Sequence, residues 1–245
     1  AVLDLEDAVA PEAKAEARAA AIEAAKAGGF GPKLAVRINA LDTPWAADDL
    51  NALKDAPVDL VVAPKIESEQ QVKAISDVLR LDQRLWAMIE TPKALVDLKD
   101  IAAAGGILSG LMLGVNDLAK AMKTGPSPDR EPFKPWLATL VAHARANKLA
   151  AIDGVFNRIK DEDGFATEAA QGRLYGFDGK SLIHPSQIAP ANAAFGPSLA
   201  EVEWAHKVVA AFAESETQGL GVIRLEGEMV ERLHLEQARQ LLADL

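Results

Sequence analysis

Two carboxylates, each closing a short apolar run, are the first residues in this sequence that could do chemistry. Glu90 ends WAMIE and Asp117 ends LMLGVND. If both runs are strands of one sheet, the two acids sit at neighbouring strand ends. Two oxygen donors with open coordination positions suit Mg2+, which keeps several waters and takes its remaining ligands from substrate. Arg37, in LAVRINA, offers a rigid bidentate fork for a carboxylate. The alternative, compatible with the first, is an internal ion pair to Asp4, Glu6 or Asp7, the acids that close AVLDLED. Lys65, in APKIES, could form a Schiff base with a 2-oxoacid, as lysines on barrel strands do in class I aldolases. Nothing in the sequence around it signals a depressed pKa, so a structural or phosphate-binding role is the simpler expectation. His184 is the one histidine near such a run; His143, His206 and His234 fall in helical stretches, which makes zinc a poorer fit than magnesium.

These residues need elements to position them. The apolar, β-branched runs cover residues 1–7, 34–40, 58–67, 84–91, 107–117, 149–157 and 179–185. Between them lie segments such as PEAKAEARAAAIEAAKAG and SEQQVKAISDVLRL, rich in helix formers with apolar residues at 3–4 spacing. Strand–helix alternation implies a parallel sheet, since parallel crossovers normally contain a helix. No glycine-rich nucleotide loop follows any strand, which disfavours a dinucleotide-binding fold. The expectation is an α/β protein with a (β/α)8 barrel over 1–190. Seven strand candidates are one short of eight, and the chain opens on Ala1 inside a strand, so the first strand and helix are expected upstream of this sequence. Residues 191–245 are expected to form a helical extension that contacts a neighbouring subunit, with helices at 199–215 and 228–244. Barrel enzymes build their sites at the carboxyl ends of the strands. Arg37, Asn39, Lys65, Glu90, Asp117, Asp153 and His184 all fall at such ends, so one polar mouth is expected.

The totals are compatible with this. The chain has 245 residues, 49% of them hydrophobic, with a net charge of −10 and no cysteine. The acidic balance argues against nucleic acid as a partner. The lack of cysteine removes disulfides, thiolate metal sites and thiol nucleophiles. No apolar run approaches the ~20 residues that span a bilayer. A cytoplasmic enzyme is expected.

Longer motifs carry a resemblance. LDLEDAV with its following proline and lysine, VRINALDTPW, APKIES, MIETP, the GVNDLA segment, AIDGVF and GFDGKSLIHPSQI resemble the citrate lyase β-subunit and malyl-CoA (citramalyl-CoA) lyase group of the HpcH/HpaI aldolase superfamily. The match runs in order from residue 1 to about 190. The resemblance implies a (β/α)8 barrel, usually trimeric, that makes or breaks a C–C bond beside a thioester with Mg2+. It maps the metal ligands onto Glu90 and Asp117 and the substrate-carboxylate arginine onto Arg37. It brings Ile183 and His184 near the coenzyme A moiety. Glu6 and Asp7 then read as acids that orient Arg37 and the water around the metal. Members of this group also start with a strand and a basic helix that contacts coenzyme A, neither of which this sequence contains. Their C-terminal Met-x-Asp motif supplies a general acid/base to a neighbouring subunit, and GEMVERLHLEQA places Glu231 there. Glutamate is one methylene longer, and misplacing a catalytic group by ~1 Å can cost ~100-fold.

The function this implies is cleavage of a 3-hydroxy-3-carboxyacyl thioester (malyl-, citramalyl- or citryl-CoA) to acetyl-CoA and a 2-oxoacid, with Arg37 and Glu231 as catalytic residues. Alternatives are a citrate lyase β subunit fed by an acyl carrier subunit, an aldolase acting on a free 2-oxoacid, and a non-catalytic paralogue.

Overall fold

The computed structural model describes residues 1–31, 33–216, 220–243 and 245, the side chains of 215 and 216 excepted. The chain forms two compact units, Ala1–Ala191 and Asn192–Leu245.

In the first unit seven strands alternate with helices. They are β1 (Val2–Asp4), β2 (Ala35–Arg37), β3 (Leu60–Ala63), β4 (Arg84–Ile89), β5 (Leu108–Leu113), β6 (Ala150–Asp153) and β7 (Gly179–Lys180). The helices are α1 (Lys14–Ala27), α2 (Ala46–Leu53), α3 (Glu69–Ser76), α4 (Pro92–Val96), α5 (Leu98–Ala102), α6 (Val115–Met122), α7 (Lys134–Ala146), α8 (Glu162–Tyr175) and α9 (Ile188–Phe195), the last of which crosses the unit boundary. All seven expected strand runs contain a strand. The strands pair in chain order, every pair parallel, into one curled, barrel-like α/β sheet. Among the described residues β1 and β7 do not pair with each other.

Side-chain parity organises this sheet. Neighbours in register share a face, and alternate residues along a strand share it too. Ala35, Leu60, Val62, Met88, Met112 and Ile152 form one buried cluster with Trp86 packed against it. Register partners such as Met88↔Met112 and Met112↔Ile152 link them across the sheet. The opposite parity (Val36, Val61, Leu85, Ile89, Leu111 and Ala151) is fully buried as well, as expected where helices cover a parallel sheet. Each such buried Leu or Ile contributes roughly 1.5–3 kcal/mol. Followed two residues towards the carboxyl end, the inner-face rows reach Arg37, Glu90 and Gly114.

The second unit contains α10 (Leu199–Glu216), the antiparallel pair β8 (Val222–Leu225) and β9 (Glu228–Glu231), and α11 (Arg232–Ala243). Helix was expected from 228 to 244; residues 228–231 are a strand instead, and 244 lies outside the described residues. Glu226 and Gly227 are both left-handed, at φ 51° and 93°, the geometry of a two-residue hairpin turn. Alternation then puts Val230 into a core with Ala205, Val208, Phe212, Leu235 and Ala238. Among the described residues no helix is long and apolar enough to cross a membrane.

Candidate active site

A cleft of about 390 Å3 opens at the carboxyl ends of the strands of the first unit. A larger groove of about 510 Å3 lies on the hairpin of the second unit, lined by Leu220, Val222, Ile223, Arg224, Gly227 and Met229. It offers one charged residue and no carboxylate, so the chemistry belongs to the smaller cleft.

Asp4 and Arg37 are register partners on β1 and β2, and their side chains meet on one face. Arg37 Nε donates to Asp4 Oδ1 at 2.7 Å and Nη2 to Oδ2 at 2.6 Å, a bidentate pair. Arg37 Nη1 lies 3.1 Å from Glu6 Oε2 and 3.6 Å from Asp7 Oδ2. Burial alone would lower the Arg37 pKa, but Asp4, Glu6 and Asp7 raise it further, so the guanidinium is permanently charged. The expected ion pair is present, and Arg37, clamped by acids on one side, lines the cleft on the other. Glu6 is buried behind it and Asp7 is exposed at the rim. The chain leaving β1 is fixed from below by Lys14, whose buried Nζ donates to the Leu5 and Glu6 carbonyls at 2.7 and 2.6 Å and lies 5.3 Å from the Trp45 ring centre. Motif residues that flank the acids thus aim them.

Glu90 follows β4 and is 2% exposed. Its Oε1 accepts the backbone N–H of Lys65 at 2.8 Å. Its other oxygen rests over Gly114, where a Cβ would come within 2.4 Å of Glu90 Cβ and Oε2. Only glycine leaves that space. Burial pushes the Glu90 carboxyl up to about 7, helped by the negative charges of Glu6 and Asp117 and opposed by the Lys65 amide bond. Asp117, in the first turn of α6, lines the same cleft. A carboxyl whose pKa is pushed up to about 7, first by burial and then by neighbouring carboxylates, is a place where a cation is electrostatically welcome. Among the described residues no group of three His, Cys, Asp or Glu side chains is arranged around a metal position. Two carboxylates with open positions nonetheless match what Mg2+ takes from a protein when substrate and water complete its shell.

Lys65 stands at the edge of this set with φ 51°, a conformation that costs a non-glycine residue about 1 kcal/mol or more. It turns the amide onto Glu90 while the ammonium reaches Glu6 Oε1 at 2.8 Å. Burial depresses the Lys65 pKa, but the Glu6 bond and the charges of Glu90 and Asp117 outweigh that and raise it. An ammonium held protonated is a poor Schiff-base nucleophile.

The single mouth is narrower than the strand ends suggested. Asp4, Asp7, Arg37, Glu90 and Asp117 line it, and so does Ile183. Asn39 does not: buried, it bonds Asp49, which in turn holds Arg18. Asp153 is fully buried. Its parity follows Ala151 rather than Ile152, so it faces the helix layer and meets Arg130 and Lys180 there. His184 is exposed, and its ring nitrogen accepts from the Ser186 amide at the start of a short 3-10 turn. Glu231 ends β9 in the second unit, its N–H donating to His234 Nδ1 at 2.9 Å.

Sequence reasoning did not single out Gly114, Asn116, Asn157 or Ser181, all of which line the cleft. Asn116 and Asn157 bond each other reciprocally, at 2.6 and 3.3 Å. Parity carried on from Met88 and Met112 would have found Gly114; the asparagine pair joins the first turn of α6 to the loop after β6 and leaves no local signal. The cleft is charged where the chain follows β1, β2, β4 and β5, through Asp4, Asp7, Arg37, Glu90 and Asp117, and neutral where it follows β6 and β7, through Val155, Asn157, Ser181 and Ile183.

Comparison with known proteins finds relatives along nearly the whole chain. Residues 1–185 match the family described as HpcH/HpaI aldolase/citrate lyase. A (3S)-malyl-CoA thioesterase of Cereibacter sphaeroides is 42% identical over 243 residues, covering 99% of this chain and 85% of the relative. The citrate lyase subunit beta of Escherichia coli is 34% identical over 253 residues, covering 99% and 84%. A crystal structure of CitE from Mycobacterium tuberculosis, in complex with magnesium, acetoacetate and coenzyme A, superposes with a TM-score of 0.80 at 33% identity, covering 99% and 88%. The chain belongs to the HpcH/HpaI aldolase/citrate lyase family.

Proposed function

We propose that this protein is a Mg2+-dependent carbon–carbon lyase acting on a 3-hydroxy-3-carboxyacyl thioester of the malyl, citramalyl or citryl type. The observation that carries this reading is one cleft holding a guanidinium and a buried, near-neutral carboxyl beside a second carboxylate. Glu90 and Asp117 would hold the cation. When bound, Mg2+ supplies a Lewis acid to the substrate's carboxylate and hydroxyl oxygens. Arg37, rigid on Asp4, binds the substrate carboxylate with the donors that Asp4 leaves free. Glu6 and Asp7 hold Arg37 from behind. The neutral side of the cleft, including Ser181 and Ile183, takes the thioester end, with His184 at its outer edge.

In the reaction the 3-hydroxyl gives up its proton to water in the cleft, the C3–O bond becomes a carbonyl as the C2–C3 bond breaks, and the electron pair of that bond moves into the thioester enolate. C2 then takes a proton, leaving acetyl thioester and a 2-oxoacid. Glu231 of a neighbouring subunit in a homotrimer is the proposed proton donor. The thioester carrier is coenzyme A, or an acyl carrier subunit if the protein works as a citrate lyase β subunit.

A second reading is hydrolysis of the same thioester to free thiol and hydroxyacid, favoured by the 42% identity to (3S)-malyl-CoA thioesterase. One assay separates the two. (3S)-malyl-, citramalyl- and citryl-CoA are incubated with and without Mg2+, and 2-oxoacid and free thiol are both measured. Lyase activity releases 2-oxoacid without thiol; hydrolysis releases thiol alone. Glu90→Ala should abolish Mg2+-dependent turnover. Absence of either product at high enzyme concentration, on the CoA esters and on an acyl-carrier thioester, refutes both readings.

A further inference from the structure

Behind the neutral side of the cleft lies a cluster of four charges that the proposed chemistry does not use. Arg130 Nη1 donates to both oxygens of Asp153, at 2.7 and 2.9 Å. Lys180 Nζ donates to Asp153 Oδ2 at 3.2 Å and to Glu168 Oε1 at 2.7 Å. Arg130 Nε lies 3.7 Å from Glu168 Oε2 and donates to Gln171 at 2.9 Å. Two cations face two anions, and the Asp153 and Lys180 side chains are 0% exposed. Desolvating such charges costs enough that well-packed apolar residues are often as stable or more so. Stability alone therefore does not account for the cluster.

Its connections lead to the cleft. Asp153 carries Gly154, where a Cβ would meet Val115 Cγ1 at 2.6 Å and the Leu113 carbonyl at 2.9 Å. The chain after β6 is thus pressed against the start of α6, two residues from Asp117. The Asp153 carbonyl accepts Ser181 N at 2.9 Å and Ser181 Oγ at 3.1 Å. Buried Gln187 bridges the two loops, donating to the Phe156 carbonyl and accepting from Ile183 N. Arg130 reaches the cluster from the connection that follows α6, and does so with a left-handed backbone, φ 56°. The chain after β6 and the chain after β7, which contribute Asn157, Ser181 and Ile183 to the cleft, are therefore tied to each other and to the connection after α6 around Asp153, through its carboxylate to Arg130 and Lys180 and through its carbonyl to Ser181.

We propose that Arg130, Asp153, Glu168 and Lys180 form an ionic hub that positions the neutral wall of the cleft. All four are positioning residues and none touches substrate. The inference takes the cleft as the substrate site, in line with the proposed function.

The test compares wild type with Lys180→Met/Glu168→Gln, which removes one charge of each sign and keeps the interior neutral, and with Lys180→Arg, which keeps the charge. Hydrogen exchange is read at 154–157 and 181–187. The double variant should exchange there at least about tenfold faster, with the β1–β4 loops unchanged. KM for (3S)-malyl-CoA should rise about 10–100-fold with kcat changed less than about threefold, the range seen when residues that orient ligands are removed. Lys180→Arg should restore slow exchange. Exchange at wild-type rates in the double variant overturns the hub whether or not the protein turns over malyl-CoA. A KM that recovers in step with melting temperature would make the cluster purely stabilising and also overturn it. If the double variant does not fold, Glu168→Gln at the edge of the cluster is read by the same exchange. Wild type inert toward the thioester defeats the proposed function and leaves the exchange result standing.

Discussion

Glu90 concentrates the electrostatics of the site. With no cation bound, its carboxyl stays protonated up to about 7, against 4.5 for the unperturbed group, because it is buried near Glu6 and Asp117. Between those values the unfolded chain has released a proton that the folded protein retains. Its contribution to stability therefore falls as pH rises, by up to about 3 kcal/mol. Thermal melts of EDTA-treated protein should show wild type losing more stability than Glu90→Gln between pH 5.5 and 8, and excess Mg2+ should close that gap. Parallel curves for the two proteins would remove Glu90 as the titrating group. Arg37 makes a second prediction at this scale. Arg37→Lys keeps the charge but cannot form the bidentate pair with Asp4 and still offer directed donors to substrate. Losing one charge-assisted bond, about 1.5–3 kcal/mol, should raise KM for (3S)-malyl-CoA about 10–150-fold. An unchanged KM would mean that Arg37 serves only Asp4.

At the scale of elements, strand ends work as sockets whose depth depends on the neighbouring loop. Glu90 is placed by the Lys65 amide on one side and by bare backbone at Gly114 on the other. Gly114→Ala puts a methyl group within 2.4 Å of the Glu90 side chain, so Glu90 or the start of α6 must move. Overpacking of this kind costs about 1–3 kcal/mol, and displacing a ligand's support typically weakens metal binding about 10–100-fold. Calorimetric Mg2+ titration of Gly114→Ala should show that loss; wild-type affinity would mean that Glu90 is not a ligand. The hairpin of the second unit makes the same point about locality. Residues 228–231 carry helix-compatible side chains, yet the left-handed pair Glu226–Gly227 and the burial of Val230 fix them as a strand.

At the scale of the molecule, Glu231 is the residue proposed to act between subunits. The proposal that it serves a neighbouring subunit predicts complementation. Arg37→Ala and Glu231→Gln proteins, each inactive alone, should regain activity when unfolded together and refolded as mixed oligomers, since some sites then combine an intact Arg37 with an intact Glu231. No gain on mixing, with mixed oligomers verified by mass, would place Glu231 outside the reaction. Glu231→Asp shortens the side chain by one methylene, and its turnover relative to wild type reports whether the backbone is adjusted to glutamate; a change of up to ~100-fold in either direction is within the effect of a ~1 Å displacement.

The sequence by itself determined the alternation of strands and helices, the parallel sheet, and the identity of Arg37, Glu90 and Asp117 as cleft residues. Periodicity, strand-end chemistry and motif order are local properties, and they survive without knowledge of partners. Only the tertiary structure decided which strand-end polar groups look into the cleft. Asp153 and Asn39 end strand runs as Glu90 does, but Asp153 turns to Arg130, 23 residues away, and Asn39 to Asp49. The left-handed turn at Lys65, the asparagine pair between α6 and the loop after β6, and the hairpin before Glu231 were likewise invisible. The reason is the same in each case: a polar side chain or a turn adopts the orientation that satisfies it, and the group that satisfies it comes from a distant part of the chain.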